Sequence, residues 1–157
     1  MTTVYQTYYQ TEIGWLEVVS DVEAVLRVEF VASPGQNNPE LPDILSACLQ
    51  QLEQYFAGQR QTFSLKLAPA GTPFQRAVWA RLAEIPFGAT ITYGQLAAQL
   101  GRPTAYRAVG NANGKNPMAI ILPCHRVIGS DGGLTGYGGG LWRKQWLLAH
   151  EASVSNS

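Results

Sequence analysis

β-Branched and aromatic residues crowd three short runs near the start of the chain, Val4 to Tyr9, Gly14 to Val19 and Ala24 to Val31, with turn residues between them. The pattern predicts an antiparallel three-stranded sheet. Ser33 to Pro42 reads as a loop, after which Leu41, Ile44, Leu45, Cys48, Leu52, Tyr55 and Phe56 recur at helical spacing. Cys48 falls on that apolar stripe and reads as a buried small hydrophobe rather than a reactive thiol. Pro69 to Pro73 then marks a boundary, dividing the chain into residues 1–71 and 72–157.

The second segment reads as short helices around one irregular centre. Thr72 can cap a helix that has Pro73 at its first position, with Phe74, Val78, Leu82 and Ile85 as the buried stripe and Pro86 as the stop. Thr92 with Gln95 three residues on forms a capping box, and that helix ends at Gly101. Thr104 restarts another, in which Ala105, Ala108, Val109 and Ala112 face inward and Arg107, Gly110 and Asn111 lie opposite. Helix, tight turn, helix is a helix-turn-helix pattern. Its outward face is almost bare of bulk apart from one arginine, which suits close approach to a nucleic-acid groove. Too few long polar side chains are present for ordinary major-groove reading.

Met118 to Leu122 is a continuous apolar run, read as a buried strand, that delivers Pro123, Cys124, His125 and Arg126 at its end. Cys124 is the candidate nucleophile, because an adjacent imidazole and guanidinium can favour thiolate over thiol. Gly129 to Gly140 holds seven glycines, with Tyr137 as the lone aromatic. Such a segment lets backbone N–H groups approach a flat ligand. It is neither a phosphate loop nor a dinucleotide fingerprint, because no Gly-Lys-Ser/Thr ending follows and Leu141 stands where the third glycine belongs. A last helix carries Trp142, Trp146 and Ala149 on one stripe and Glu151 near its end, where a carboxylate could orient an imidazole.

Charge changes this picture only when it is divided. The net charge of the 157 residues is zero, yet residues 1–71 hold three basic side chains against eight acidic ones, and residues 72–157 hold eight basic against three acidic. A basic second half points toward a polyanion. The longest apolar run is far too short for a bilayer, and the first twenty residues lack an export signal. Two cysteines and two histidines supply neither a disulfide framework nor a structural zinc site. A cytoplasmic protein is expected, or a nuclear one in a eukaryote, with no membrane association.

An ordered series of short strings runs through the second half: Pro73-Phe74-Gln75, Val78-Trp79, Ile85-Pro86-Phe87-Gly88, Tyr93-Gly94, Arg107-Ala108-Val109-Gly110, Asn116-Pro117 and Pro123-Cys124-His125-Arg126-Val127. Gly136-Tyr137, Gly139-Gly140-Leu141, Lys144, Leu147-Leu148 and Glu151 continue it. The series resembles the O6-alkylguanine-DNA alkyltransferases, the methylated-DNA–protein-cysteine methyltransferases. The first half is similar, more loosely, to that family's ribonuclease-H-like domain, through its strands and Leu52 to Leu67.

The resemblance implies an α+β fold and a single-turnover repair enzyme that needs no cofactor and acts on double-stranded DNA containing O6-alkylguanine. O4-Alkylthymine is a second candidate lesion, and a monomer is expected. Under the resemblance Cys124 attacks the alkyl carbon, His125 takes its proton through a water, Glu151 holds the imidazole, and Tyr93 serves N3 of the guanine. Arg107 is the finger that fills the space of a flipped nucleotide, and Asn116 is a hinge. Tyr137, Gly138 and Gly139 line the base pocket, and Thr104, Tyr106, Gly110 and Arg126 complete the DNA- or substrate-contacting set. Gly138 departs from members that carry serine there, and Cys48 alone cannot supply the zinc ligands of some relatives, so no metal is expected. A branch of the family lacks the cysteine and only flags lesions; here Cys124 is present. A Cys-His hydrolase and a non-catalytic alkylated-DNA-binding module are the alternatives.

Overall fold

In a computed structural model, residues 3–134 and 136–155 are described. Contacts divide the α+β chain into two compact units that meet between Ala70 and Gly71.

The first unit is built on the antiparallel sheet β1 (Tyr5–Thr11), β2 (Gly14–Ser20) and β3 (Val25–Val31), in that spatial order. Turn chemistry sets both hairpins. Thr11 Oγ1 donates to Gly14 O at 2.8 Å and accepts from the Ile13 N–H at 3.0 Å, while Asp21 Oδ1 accepts from the N–H groups of Glu23 and Ala24. Helix α1 (Asp43–Phe56) buries Leu45, Cys48, Leu52 and Tyr55 and packs on the sheet. The Cys48 thiol is pushed up to about 12 by burial, as the helical stripe implied.

The second unit orders α2 (Pro73–Leu82), β4 (Ile91–Thr92), α3 (Tyr93–Gln99), α4 (Tyr106–Gly114), a 3-10 turn at Cys124–Arg126, β5 (Val127–Ile128) and α5 (Leu141–Ser155). Both expected capping boxes form: Thr72 Oγ1 accepts from the Gln75 N–H, Thr92 Oγ1 accepts from the Gln95 N–H, and each glutamine carbonyl returns a bond to the cap. Strands β4 and β5 pair in parallel, Ile91 opposite Val127, which brings the start of α3 beside the end of the 3-10 turn. Trp79 Nε1 donates to Ala112 O at 2.8 Å and ties α2 to α4. Among the described residues no helix is long and apolar enough to cross a membrane.

Four sequence expectations are corrected. Met118 to Leu122 is a series of turns, not a strand: Leu122 N–H reaches Met118 O at 3.0 Å, and Asn116 Nδ2 holds Leu122 O at 2.7 Å. A short apolar run signals burial and does not by itself distinguish a strand from a buried turn. Helix α4 starts at Tyr106 with no side-chain cap, so Thr104 does not open it, and Ala108 is exposed; Val109, Ala112 and Asn113 are its buried residues. Helix α2 ends at Leu82, and Ile85 is buried beyond it. In α5 the buried stripe is Lys144, Leu147 and Glu151 instead of Trp142, Trp146 and Ala149, of which Trp142 is exposed.

The turn between α3 and α4 is closed by Gly101 at φ +74°, with Gly101 N–H bonding Ala98 O and Arg102 N–H bonding Ala97 O. No atom stands within 4 Å of where a Cβ would project, so Gly101→Ala isolates the backbone cost. Denaturant unfolding should show a loss of about 1 kcal/mol. An unchanged midpoint would contradict this account of the turn.

Candidate active site

Helix α5 carries Glu151 into the interior, where its carboxylate is fully buried. It accepts from His125 Nε2 at 2.6 Å, from Arg126 Nε at 2.8 Å and Nη2 at 3.0 Å, and from the Gly88 N–H at 3.2 Å. Burial works against its charge, but the hydrogen bonds and charges of His125 and Arg126 outweigh burial and hold the carboxyl well below the usual carboxylate range. Burial lowers His125, against the opposing pull of Glu151. The pair is therefore an ionised carboxylate beside a neutral imidazole. With the ring proton on Nε2, Nδ1 keeps a lone pair, and this enclosed nitrogen has no partner among the described residues.

Cys124 precedes that imidazole in the 3-10 turn and is itself buried. Desolvation raises its pKa, while a hydrogen bond from Asn116, the charge of Lys144 and the backbone of Cys124 and His125 pull it back. Among the described residues, neither the His125 nor the Arg126 side chain donates to the thiol at rest. Their donors are committed elsewhere: Arg126 spends Nε and Nη2 on Glu151, bonds Ile85 O at 2.7 Å through Nη1, and lies over the Phe87 ring. For the same reason Arg126 is not available to DNA. It is enclosed, and its role is to hold the turn.

The cation that acts on the thiol is Lys144. It is fully buried, donates from Nζ to Val127 O at 2.6 Å and sits 5.8 Å from the centre of the Tyr93 ring. Burial lowers its pKa and the neighbouring Cys124 opposes that. Lys144 stood only as one member of the motif series, without a role. Its spacing from Leu147 and Glu151 (i, i+3, i+7) was the available signal for an inward lysine.

Asn116 clasps the loop leading to the thiol: its Nδ2 donates to Leu122 O and Met118 O, and its Oδ1 accepts from the Met118 N–H. Within that loop Ile120 is held at φ +73°, an unfavourable left-handed conformation for a β-branched residue. Strain of this kind, of order 1–3 kcal/mol, persists only where surrounding contacts over-determine the backbone.

A cavity of about 340 Å³ lies beside these groups, lined by Tyr93, Tyr106, Gly110, Gly114, Gly136 and Tyr137. The Tyr137 hydroxyl is enclosed without a hydrogen-bond partner among the described residues, and its pKa is driven well up by burial and by charge on Cys124. Asn113, next to Gly114 of the lining, donates from Nδ2 to Cys124 O at 3.3 Å and ties the cavity wall to the residue that carries the thiol. Gly139 O accepts from Arg143 Nη1 at 2.7 Å, anchoring the glycine segment to α5. A Cβ at Gly138 would meet only Gly114 O, at 3.7 Å, so the absent side chain is no steric requirement. Thr104, Tyr106 and Arg107 are exposed at the start of α4, and Gly110 is half-buried with its Cα side facing Tyr93.

The two domains of the 6-O-methylguanine DNA methyltransferases match in order, the ribonuclease-like domain over residues 4–69 and the DNA-binding domain over residues 73–153. The chain belongs to the methylated-DNA–protein-cysteine methyltransferase family. It is 46% identical over 157 residues to the methylated-DNA–protein-cysteine methyltransferase of Methanosarcina acetivorans, covering 96% of this chain and 99% of the relative. A Haemophilus influenzae methyltransferase of the same name is 44% identical over 96% of this chain and 88% of its own. Among solved structures, the Mycobacterium tuberculosis O6-methylguanine methyltransferase superposes with a TM-score of 0.87 at 42% identity, covering 96% of this chain and 94% of that one. The same organism's protein in complex with DNA gives 0.84 at 44% identity, over 94% and 92%.

In this methyltransferase-family chain the buried Arg126–Glu151–His125 cluster carries a stability cost when broken. Glu151→Gln would leave the enclosed Arg126 without its counter-charge and should lower stability by about 3 kcal/mol. The folded-state pKa of His125 lies below its ordinary 6.5, and that of Glu151 below its ordinary 4.5. As pH falls, the unfolded chain therefore takes up these protons first, so stability is full above both ordinary values and is lost on acidification. Denaturation should show the decline in wild type and, below the ordinary carboxyl value of 4.5, a shallower one in the variant, which has no carboxyl at 151 to protonate. Equal stability and equal slope would contradict the assignment.

Proposed function

We propose that this chain repairs double-stranded DNA by transferring the alkyl group of O6-alkylguanine irreversibly to Cys124, once per protein molecule, as a monomer in the cytoplasm. The observation that carries the reading is a buried thiol beside an imidazole whose Nε2 is committed to an ionised carboxylate, leaving Nδ1 as the basic nitrogen. The family's names and domain matches support it. His125 Nδ1 accepts the thiol proton through a water, and Glu151 stabilises the imidazolium that results. Lys144 offsets the charge left on sulfur. The Cys124 Sγ–carbon bond forms as the carbon–O6 bond breaks, and the bonding pair leaves with the guanine, whose N3 is served by Tyr93.

An alkylated base within a stacked duplex cannot reach a buried thiol, so the nucleotide must leave the stack. Arg107 is the side chain placed to fill the gap. The exposed residues that follow it along the same surface of α4, Ala108 and Asn111, are short. Entry from the minor groove fits this sparse face better than base reading in the major groove.

Incubation with a duplex oligonucleotide carrying O6-methylguanine, followed by intact-mass measurement and peptide mapping, should find one methyl per protein on Cys124 and none on Cys48, whose thiol is held far from ionisation. Cys124→Ala should take up none. Repeated turnover would favour a hydrolase, and binding without transfer a lesion-flagging module.

Arg107→Ala should slow repair of the duplex at least tenfold yet react with free O6-benzylguanine at close to the wild-type rate, since the free base needs no flipping. Equal losses on both substrates would remove the finger role.

A further inference from the structure

Helix α4 presents one feature that the alkyl-transfer chemistry does not use. Tyr106 is 49% exposed, one residue before Arg107, yet its ring lines the cavity together with Tyr93 and Tyr137. The helix explains how. Tyr106 and Gly110 stand four residues apart and so share a face, and the missing side chain at Gly110 leaves the space above the Tyr93 ring open. A Cβ on residue 110 would already lie 3.6 Å from Tyr93. Gly114, one turn further, keeps the same face bare and also lines the cavity. One side of α4 is therefore a glycine floor with a single aromatic ring at its N-terminal end. A slot with aromatic rings on several sides and flat backbone between them is shaped for a planar ring system, because stacking needs area and no particular donor pattern.

We propose that Tyr106 is a substrate-binding residue: its ring forms the outer wall of the base slot and stacks against the O6-alkylpurine while Cys124 reacts. The assignment rests on the alkyl-transfer reading above and deepens it. Tyr106 contributes to holding the base and not to the chemical step, since Cys124, His125, Glu151 and Lys144 are not among the described residues that line the slot with it. Its partial exposure in the free protein follows from its place at the mouth, where the incoming base covers the ring. Because it acts on the base and not on the duplex, its effect persists with a free base, which separates it from Arg107.

The test is the concentration dependence of Cys124 alkylation by free O6-benzylguanine, read by intact mass for wild type, Tyr106→Phe, Tyr106→Leu and Tyr106→Ala. Stacking on an aromatic side chain typically accounts for a five- to hundredfold difference in affinity, roughly. The half-saturating concentration should rise at least about fivefold in Tyr106→Ala and by a comparable factor in Tyr106→Leu, which keeps apolar bulk without a ring. The rate at saturation should be unchanged, and Tyr106→Phe should restore the wild-type value. If wild type reacts and the alanine variant has the same half-saturating concentration, the wall assignment is overturned while alkyl transfer stands. A fall only in the saturating rate overturns it equally. A wild-type chain that accepts neither a benzyl group from the free base nor a methyl group from the duplex counts against the alkyl-transfer reading itself.

Discussion

The second unit is organised around one buried carboxylate. Glu151, carried by α5, accepts hydrogen bonds from two other segments: the turn that carries the thiol, through His125 and Arg126, and the loop after α2, through Gly88. Arg126 extends the reach by binding Ile85 O. A charge this deeply enclosed is tolerable only when every lone pair is answered. The requirement works in both directions: the segments must converge to satisfy the carboxylate, and once converged they hold the imidazole in one tautomer and one orientation.

That arrangement explains why the side chains next to the thiol do not hold it ionised at rest. Two positive or potentially positive groups follow Cys124 directly, but both are turned away toward Glu151. The sulfur sits in a desolvated place that disfavours its ionised form, with Lys144 and Asn116 as the opposing influences. Such a thiol is quiet in the free protein. Under the proposed mechanism the lone pair on His125 Nδ1 removes its proton at the moment of reaction, and a nucleophile spent after one transfer gains from being shielded from adventitious alkylation and oxidation.

Where local chemistry decides structure, the sequence was legible. The Thr72–Gln75 and Thr92–Gln95 boxes, the Gly101 stop and the three strand runs depend on residues within a few positions of one another, and each element appears where those residues stand. Errors arose where burial was decided by distant groups. Lys144 looks like a surface residue and Trp142 like a core one, and their positions are exchanged because Val127 O and the thiol require a cation inside. Met118 to Leu122 is apolar enough for a strand, yet Asn116 binds both ends of it and curls it into turns. The pairing of His125 with Glu151 could be anticipated from the motif series, whereas the enclosure of Arg126 could not, because nothing local distinguishes a buried guanidinium from one that meets phosphate.

Glycine on α4 links fold to function more directly than propensity alone would suggest. Gly110 and Gly114 each weaken an exposed helix of nine residues, at roughly 1 kcal/mol apiece relative to alanine. Neither has a positive φ, so backbone conformation does not demand them. What they provide is proximity: Gly110 keeps the wall of the cavity open against Tyr93, and Gly114 O comes within van der Waals reach of Gly138 on the glycine segment. A side chain on α4 at residue 110 would intrude on the slot whose other walls are Tyr106 and Tyr137. The helix gives up intrinsic stability along one face and recovers it through tertiary packing, with Val109 and Ala112 in the core and Ala112 O receiving the Trp79 indole. The same helix can therefore present Arg107 outward and a bare floor inward, an arrangement that suits the proposed exchange of a stacked base for an enclosed one.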